Sequence, residues 1–399
     1  MQEAFPEKNK FLGVLSDKRE GGSNMKEFIK GMDISTLLEV EKLGGRFYDQ
    51  KEEKDLLSIL KSRGVNAVRL RLWKDPYSED GKPYGAGNND IIVTKELARR
   101  ALAAGMGFLL DFHYSDFWAD PGKQMIPKAW RGYQEAELEQ AVYTYTKSTL
   151  EELKRDHLFP TMIQVGNELS NGLLWPFGKV PNYKTIARFI NAGIRGVRAV
   201  DKEVPIMLHL DNGGNNTLYR EWFDAFLKYG DDFQIIGLSY YPFWHGTMEA
   251  LKQNMKDIAV RYQKDLIIAE VSMGFTMEDY SAYEGLKSQE RKGMATKKEL
   301  AEKVNYPMTP DGQAAFLKDL LYLLEEVPED RGCGFFYWEP AWIPVKGSGW
   351  ATKEALEYIK EKGPGGNEWA NQALFDYEGN ALPALDVIGG YERKREKAL

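Results

Sequence analysis

Eight short apolar segments recur along the chain, and each of them ends in a cluster of polar residues. Stretches with the apolar spacing of amphipathic helices lie between these segments, and several of them stop at a glycine. Eight repeats of a strand and a helix are typical of a (β/α)8 TIM barrel of the α/β class. The predicted strands are Phe28–Ile34, Ala67–Trp73, Phe108–His113, Met162–Gly166, Pro205–Leu210, Ile235–Tyr241, Leu266–Ala269 and Gly334–Trp338.

The helices between these strands are predicted from apolar residues three and four positions apart and from capping residues. Thr94 and Thr309 are the expected N-caps, and Pro310 suits the first position of a helix. The predicted helices are Lys51–Arg63, Thr94–Ala104, Glu135–Arg155, Tyr183–Val200, Met248–Tyr262 and Pro310–Glu326.

The main alternative to a barrel is an open doubly wound sheet. Such a sheet usually carries a glycine-rich phosphate-binding loop after its first strand, where this chain instead reads Gly31-Met32-Asp33-Ile34-Ser35. We therefore predict one barrel domain over residues 25–399, preceded by a flexible segment at residues 1–24. Two connections, Gly274–Met308 and Ala341–Pro383, are long enough to build a substrate site at the strand ends.

The charge and the counts of cysteine and histidine exclude several classes of partner. The formal net charge is −7 and no long basic run is present, which argues against nucleic acid and anionic membranes. The single cysteine, Cys333, cannot form an intramolecular disulfide, and the four separated histidines argue against a zinc cluster. No apolar run approaches the roughly 20 residues of a membrane helix. We expect a monomer without a transmembrane segment.

Polar and aromatic residues follow the predicted strands. The carboxyl ends of all strands in a barrel meet at one face, where barrel enzymes bind their substrates. These residues are therefore candidates for binding or catalysis. They are Asp33, Arg69, Arg71, Asp111, His113, Asp116, Trp118, Asn167, Glu168, His209, Asp211, Tyr240, Tyr241, Glu270, Trp338 and Glu339.

Two glutamates, Glu168 and Glu270, come directly after the fourth and seventh predicted strands. A retaining glycosidase needs two carboxylates about 5–5.5 Å apart, one to attack the anomeric carbon and one to protonate the leaving oxygen. A single carboxylate at a strand end is often part of a structural ion pair. The placement of both glutamates, with Asn167 beside the first, favours catalysis. Asn167 is suited to donate a hydrogen bond to the sugar 2-hydroxyl.

The neighbours of the two glutamates predict different pKa values. We expect hydrogen bonds from Arg69 and Tyr240 to keep Glu270 ionised. Arg69 and Arg71 face the same side of the second strand, and one of them can instead pair only with Asp33 or Glu339. A less charged and more aromatic environment should raise the pKa of Glu168.

Other candidates allow two interpretations each. His113, His209 and Asp211 can bond sugar hydroxyls, or they can belong to a structural hydrogen-bond network. Trp338 suits a stacking platform beneath a sugar, or it fills the core. The chain carries 10 Trp, 21 Tyr and 19 Phe, many of them in loop-like segments, and aromatic rings in loops suit the apolar faces of sugars as well as a large core.

Several ordered blocks at the predicted strand ends carry a resemblance to a known family. The blocks are Gly31–Ser35, Val68–Trp73, Asp111–Pro121, Gly166–Glu168 with Gly172–Pro176, Tyr240–Phe243, Tyr337–Trp342 and Trp369–Asp376. Over about residues 31–388 the chain resembles family 53 glycoside hydrolases, the endo-β-1,4-galactanases of the retaining barrel clan. An Asn-Glu pair alone would be a weak signal, whereas ordered blocks on the predicted strands are specific.

The resemblance implies hydrolysis of β-1,4-galactosidic bonds in galactan and type I arabinogalactan, the side chains of pectin, with retention. It implies Glu168 as acid/base and Glu270 as nucleophile. The positions that it places at the cleavage subsite are Asn167, Arg69, His209, Asp211, Tyr240 and Trp338. The positions that it places along the sugar groove are Asp116, Trp118 and Trp342. The expected partners are galactan and galacto-oligosaccharides, and the expected location is secreted or on the cell surface.

The loop after the seventh predicted strand departs from this resemblance. Bacterial relatives with a bound calcium ion carry closely spaced Asp, His and Asn ligands there, whereas Gly274–Glu284 holds three carboxylates and no histidine. Calcium takes six to eight oxygen ligands. We therefore expect no required cofactor and no calcium site of that kind, and any such site would need a distant ligand such as Asp376.

Two other functions remain open from the sequence. Another retaining barrel hydrolase, such as a β-mannanase or a xylanase, would use the same pair of glutamates. A non-catalytic glycan-binding protein would keep the groove, although the intact Glu168 and Glu270 argue against it. A metal-dependent hydrolase would need a cluster of His and Asp at the strand ends.

Overall fold

Eight parallel strands close into a barrel in the computed structural model, which describes residues 27–280 and 297–393. Each strand pairs with the next along the chain and the last pairs with the first, so that Asp33 lies opposite both Arg69 and Trp338. The strands are β1 (Ile29–Asp33), β2 (Ala67–Leu72), β3 (Gly107–Phe112), β4 (Met162–Val165), β5 (Ile206–Leu210), β6 (Ile235–Tyr240), β7 (Asp265–Val271) and β8 (Gly332–Trp338). The predicted barrel is confirmed, and each predicted strand lies close to its expected limits.

The barrel interior is filled by a separate apolar cluster to which every strand contributes. Its members are Ile29, Ala67, Leu109, Met162, Met207, Ile235, Ile267, Ala269, Cys333 and Phe336. Space for the largest of them comes from Gly31 on β1, where a Cβ atom would lie 2.2 Å from the Phe336 ring. The interior is therefore a packed core beneath the strand ends, and Cys333 is a buried thiol within it.

Helices surround the barrel and pack their apolar faces on its outer surface. In the helix Tyr183–Val200, for example, the buried residues include Ile186, Phe189, Ile190 and Val197, spaced three, one and seven apart as one helical face requires. The helices are α1 (Leu37–Lys42), α2 (Leu56–Ser62), α3 (Ile91–Ala103), α4 (Glu135–Arg155), α5 (Tyr183–Val200), α6 (Asn216–Phe226), α7 (Met248–Tyr262), α8 (Lys298–Ala301), α9 (Pro310–Glu325), α10 (Lys353–Ile359) and α11 (Ala384–Gly390).

Helix α3 begins at Ile91, three residues before the predicted start at Thr94. The side chain of Asp90 accepts hydrogen bonds from the backbone N–H groups of Ile92 (2.9 Å) and Val93 (2.8 Å). A carboxylate at this position caps a helix as well as a threonine does, so the earlier start is favoured.

Helix α2 begins at Leu56 rather than at the predicted Lys51. Lys51 has a φ angle of +68° and lies in the turn between two short paired strands, Tyr48–Asp49 and Glu52–Glu53. A residue in the left-handed conformation cannot continue a right-handed helix. The helix instead starts after Asp55, whose side chain caps it by accepting a hydrogen bond from the backbone N–H of Ser58.

The described residues contain no helix that is long and apolar enough to cross a membrane. The predicted flexible segment, residues 1–24, lies outside the described residues, as does part of the long connection between β7 and α9.

Candidate active site

A cleft with a volume of about 430 Å³ opens at the carboxyl ends of the strands. Both glutamates singled out from the sequence border it, together with most of the predicted binding residues. The candidates that border the cleft are Arg69, Arg71, His113, Trp118, Asn167, Glu168, Asp211, Tyr241, Glu270 and Trp338. Those that do not border it are Asp33, Asp111, Asp116, His209, Tyr240, Glu339 and Trp342.

Glu168 reaches the cleft through an unusual backbone conformation after β4. Its φ angle is +45°, which places a residue with a side chain in the left-handed region. This conformation costs about 1–2 kcal/mol for a residue other than glycine, so the surroundings must hold it. The side-chain amide of Gln124 does so in part, because it donates to the backbone carbonyls of Asn167 (2.8 Å) and Glu168 (3.4 Å).

Glu270 is turned toward the cleft by an irregularity in β7. Ile267 and Ala269 face the barrel interior, and Ile268 packs with the outer cluster. Regular alternation would place Glu270 on the outer side with Ile268. The pairing register between β6 and β7 shifts here, because Leu238 lies opposite Ile268 and the next residue lies opposite Glu270. A bulge of this kind redirects a side chain.

Arg69 is the centre of the charged network beneath the cleft. Its side chain is 1% exposed and contacts three carboxylates: Asp33 at 2.8 Å, Asp111 at 2.8 Å and Glu270 at 2.9 Å. It also donates to the Asn167 side-chain oxygen at 2.9 Å. Burial lowers the pKa of Arg69, but the three carboxylates raise that pKa by more, so Arg69 is a permanent cation at the mouth of the barrel.

The two glutamates lie in different electrostatic environments. Burial raises the pKa of Glu168 well above its usual value, and the nearby carboxylates of Glu270 and Asp211 raise it further. Burial also raises the pKa of Glu270, but the Arg69 guanidinium and the Tyr241 hydroxyl, which donates to Glu270 Oε2 at 2.8 Å, both oppose this. A proton shared by the pair therefore resides on Glu168.

Asn167 is fixed in one orientation by its partners. Its Oδ1 accepts from Arg69, which can only donate, and lies 2.9 Å from His209 Nδ1. Its Nδ2 donates to the Ala119 carbonyl at 2.9 Å. Because Oδ1 faces the network, the amide nitrogen is the atom that is left to meet a ligand at the cleft.

The aromatic wall of the cleft is built on a second arginine. The guanidinium of Arg71 lies 4.4 Å from the Trp118 ring centre and 5.9 Å from that of Trp338, and its Nη1 lies 2.6 Å from Glu339 Oε1. Trp338 also contacts the Trp369 ring at a centroid distance of 4.7 Å. These contacts hold the indole rings at defined angles along the cleft.

Tyr240 does not contact Glu270, and this prediction is corrected by the structure. Its hydroxyl donates to the Gly246 carbonyl at 3.1 Å, and its ring stacks on Phe316 of α9 outside the barrel. Successive residues of a strand face opposite sides, so the next residue, Tyr241, faces the cleft and provides the hydrogen bond to Glu270.

Four other predicted binding residues lie behind the cleft and support it. Asp33 and His209 are fully buried and bond Arg69 and Asn167 respectively. The Asp116 carboxylate accepts from the backbone N–H of Lys128 at 2.6 Å. Trp342 is fully buried, donates to Ser348 Oγ and packs edge-on against Trp338. Their positions after the strands and the family resemblance suggested contact with substrate, but in the structure these side chains are buried and do not border the cleft. 

Several residues that border the cleft were not singled out from the sequence. Their common feature is a place in the loops that follow β6 and β8. They include Trp244, His245, Trp350, Glu361, Glu368 and Trp369. For Trp350 and Trp369, the sequence signal was the aromatic content of the long connection after β8.

The described residues contain no group of three or more His, Cys, Asp or Glu side chains arranged to hold a metal ion. Asp376, the distant ligand considered above, accepts hydrogen bonds from the backbone and side chain of Asn380. Part of the loop after β7 lies outside the described residues.

Two buried glutamates share a cleft at the mouth of the barrel, and their surroundings separate an acid from an arginine-paired carboxylate. A pair of carboxylates at the strand ends of a barrel is typical of glycoside hydrolases.

Comparison with known proteins identifies the family. The sequence model described as Glycosyl hydrolase family 53 matches residues 29–388, so the chain belongs to that family of glycoside hydrolases. A Bacillus subtilis (strain 168) protein described as endo-beta-1,4-galactanase is 37% identical over 93% of this chain and 87% of its own length. An arabinogalactan endo-beta-1,4-galactanase of Thermothelomyces thermophilus is 31% identical over 90% of this chain and 98% of its own length.

A solved structure shows the same architecture. The Ignisphaera aggregans GH53 catalytic domain is 39% identical and superimposes with a TM-score of 0.83, covering 91% of this chain and 95% of that domain.

Replacement of Arg69 by methionine should destabilise the protein strongly. The change leaves Asp33, Asp111 and Glu270 without their shared cation, and breaking a buried ion pair in this way costs about 3–5 kcal/mol. Arg69 lowers the pKa of Glu270, so without Arg69 that pKa should rise further in the folded state. Protonation of Glu270 then restores stability as the pH falls, so the loss in the free energy of unfolding should be smaller at pH 5 than at pH 7. Urea unfolding at both pH values measures the change in the free energy of unfolding.

Arg261→Met is the matched control, because Arg261 pairs with Asp224 on the surface. Its free energy of unfolding should change little at either pH. A loss in Arg69→Met that is equal to that of the control, or equal at both pH values, would contradict the central role of Arg69.

Proposed function

We propose that the protein is an endo-acting hydrolase of β-1,4-galactosidic bonds in galactan and type I arabinogalactan, with retention of the anomeric configuration. The observation that carries the proposal is the glutamate pair in the cleft, in a chain that matches a named endo-beta-1,4-galactanase over 93% of its length. The fold and the family indicate the class of reaction, which is glycoside hydrolysis. The name of this relative indicates the polymer that is cleaved.

In the first step, Glu270 attacks the anomeric carbon and its oxygen forms a covalent bond to the sugar. The glycosidic bond breaks, and its oxygen takes the proton from Glu168 as the shorter chain leaves. The Glu270 carboxylate is suited to attack because Arg69 and the Tyr241 hydroxyl favour its ionised form. Glu168 is suited to donate because burial and its acidic neighbours keep the proton on it.

In the second step, the ionised Glu168 takes a proton from a water molecule, and the water oxygen attacks the anomeric carbon. The bond to Glu270 breaks, so that both glutamates return to their starting states. Two inversions at one carbon give net retention. The amide nitrogen of Asn167 is placed to donate to the sugar 2-hydroxyl, a contact that strengthens in the transition state.

The aromatic wall is suited to the sugar itself. Galactose has an apolar C–H face, and a rigidly held indole such as Trp338 offers a flat surface for it. Trp118 and Trp369 border the same cleft and extend this surface beyond a single ring. Because the cleft is open, it can bind an internal stretch of a long galactan chain.

The proposed setting of the enzyme follows from its polymeric substrate. A polysaccharide does not cross a membrane, so its hydrolase acts outside the cell or on the cell surface. We propose that the protein acts there as a monomer, on galactan and galacto-oligosaccharides, without a cofactor in the reaction.

Product analysis on linear β-1,4-galactan should show endo cleavage. We expect a mixture of galacto-oligosaccharides early in the reaction, and the first reducing ends should be β-anomers by proton NMR. Mannan and xylan should remain intact. Cleavage of mannan or xylan would favour another retaining barrel hydrolase, and binding of galactan without cleavage would favour a glycan-binding protein.

Substitution of each glutamate by alanine should separate their roles. Glu270→Ala should abolish turnover, and azide should rescue it on an aryl β-galactoside by forming an α-galactosyl azide. Glu168→Ala should slow galactan hydrolysis far more than hydrolysis of an aryl β-galactoside with a good leaving group, which needs little proton donation. A β-azide from Glu270→Ala, or equal losses on both substrates for Glu168→Ala, would reverse or exclude the assignment.

Tyr241→Phe should reduce kcat/KM about ten- to a hundredfold, the range expected for loss of a hydrogen bond to a charged group. The change removes a donor that favours ionised Glu270, so the pKa of Glu270 rises. Activity that requires the ionised nucleophile should then disappear at a higher pH as the solution is acidified. The pH profile of kcat/KM measures the shift.

Tyr240→Phe is the control, since that hydroxyl bonds Gly246 outside the cleft. Its acidic limb should match that of the unmodified enzyme. Equal shifts in the two variants would exclude a specific contact between Tyr241 and Glu270.

A further inference from the structure

A chain of hydrogen bonds connects Glu168 to buried residues beneath the cleft. Ser239 Oγ lies 2.7 Å from Glu168 Oε1 and 2.8 Å from His209 Nε2. His209 Nδ1 lies 2.9 Å from Asn167 Oδ1. Ser239 and His209 are fully buried, so water does not compete for their hydrogen bonds. We call these four residues the buried network.

The three contacts of the buried network need three hydrogens. Ser239 supplies one and a neutral imidazole supplies one. Asn167 Oδ1 supplies none, because an oxygen that already accepts from Arg69 is fixed as an acceptor. The third hydrogen must therefore be on the Glu168 carboxyl group or be a second hydrogen on His209.

His209 is the unfavourable place for that hydrogen. Burial lowers the pKa of His209 well below its ordinary value, and the positive charge of Arg69 lowers it further. His113 and His245, which also face His209, act in the same direction. The imidazole is therefore neutral, and the third hydrogen belongs to Glu168.

We propose that Ser239 and His209 are positioning residues that keep the acid/base Glu168 in its protonated form through the buried network. In the enzyme without substrate, Glu168 donates to Ser239 Oγ, the Ser239 hydroxyl donates to His209 Nε2, and His209 Nδ1–H donates to Asn167 Oδ1. When substrate binds, the carboxyl group of Glu168 rotates so that the same hydrogen reaches the glycosidic oxygen. The inference rests on the proposed role of Glu168. It goes beyond that role by assigning to two residues outside the cleft the control of when Glu168 carries its proton.

Loss of the proton from Glu168 leaves two hydrogens for three contacts. The carboxylate is the strongest acceptor in the network, so at equilibrium the Ser239 hydroxyl turns toward it. The imidazole hydrogen then belongs on Nε2, facing Ser239. Nδ1 becomes an acceptor and shares an amide hydrogen of Gln164 with Asn167 Oδ1, because Gln164 Nε2 lies 3.2 Å from Nδ1 and 3.0 Å from Oδ1. The cost of this state is the contact between the lone pairs of Nδ1 and Asn167 Oδ1.

Other charged groups face Glu168 but do not act through Ser239. They are Glu270 on β7, Asp211 after β5 and Asp120 in the loop after β3, and each raises the pKa of Glu168. Replacement of Ser239 leaves all three in place. A change in the pH profile of a Ser239 variant therefore reports the buried network.

Ser239→Ala separates this proposal from the simpler role of a hydroxyl donor. A serine that only donated to an ionised Glu168 would favour the carboxylate, and its loss would raise the pKa of Glu168. In the buried network, Ser239 instead accepts from protonated Glu168, and its loss should lower that pKa. The two roles thus predict shifts of opposite sign.

The measurement is the basic limb of kcat/KM against pH on galactan, where activity requires protonated Glu168. Ser239→Ala should move this limb about half to one unit toward lower pH, the shift expected for one hydrogen bond. Ser272→Ala is the matched control, because Ser272 is a buried serine that donates to Gln372 at 2.6 Å. Its basic limb should not move. An unchanged or upward-shifted limb in Ser239→Ala would overturn the proposal.

A second measurement does not depend on turnover. Nitrogen NMR of the ¹⁵N-histidine-labelled protein reports the His209 tautomer, assigned by the signals that His209→Gln removes. We expect Nδ1–H below the basic limb and Nε2–H above it. In Glu168→Gln the side-chain amide can still donate to Ser239, so His209 should stay Nδ1–H at both pH values.

An Nε2–H tautomer or an imidazolium at the lower pH would contradict the network. Failure of the proposed function is distinguishable, because a protein that cleaves no galactan would still show the tautomer and its change with pH.

Discussion

The buried guanidinium of Arg69 contacts the carboxylates of Asp33, Asp111 and Glu270 at 2.8–2.9 Å. Each of these carboxylates is itself buried and needs a partner, and Arg69 is the cation that all three share. The same guanidinium fixes the orientation of Asn167. One side chain thus stabilises the barrel mouth and favours the ionised form of Glu270, the proposed nucleophile.

The difference between the two glutamates follows from what each one faces. Glu270 faces a cation and a phenol hydroxyl, whereas Glu168 faces a neutral serine and other acidic groups. Each also depends on a local departure from regular backbone. A register shift in β7 turns Glu270 inward, and a left-handed conformation after β4 presents Glu168. The barrel supplies rigid strand ends, and these two irregularities aim the side chains.

The apolar patterns of strands and helices were sufficient to predict most of the fold. The long helices α4, α5 and α7 have the expected limits and the eight strands lie close to theirs, because each element has a clear apolar pattern. Periodicity missed α6 (Asn216–Phe226), where the large side chains Tyr219, Trp222 and Phe226 meet the core at helical spacing within a mainly polar segment.

The candidate site was predictable in outline only. Position after β4 and β7 was sufficient to select Glu168 and Glu270. The depth of a side chain below the cleft was not readable, so both interpretations of His209 stayed open and Trp342 was expected along the groove. Both residues are buried behind the cleft. The choice between Tyr240 and Tyr241 depended on which side of β6 faces the cleft at its last residue. That is set by the three-dimensional register and not by residue type.

The central claim is that Glu270 forms the covalent bond to the sugar while Glu168 exchanges the proton. An activated 2-deoxy-2-fluoro-β-galactoside, extended by β-1,4-linked galactose, should inactivate the enzyme by trapping that bond, and mass spectrometry of the digested protein identifies the labelled peptide. The account predicts a single label on Glu270. A label on Glu168, or hydrolysis without any trapped intermediate and with inverted products, would contradict it.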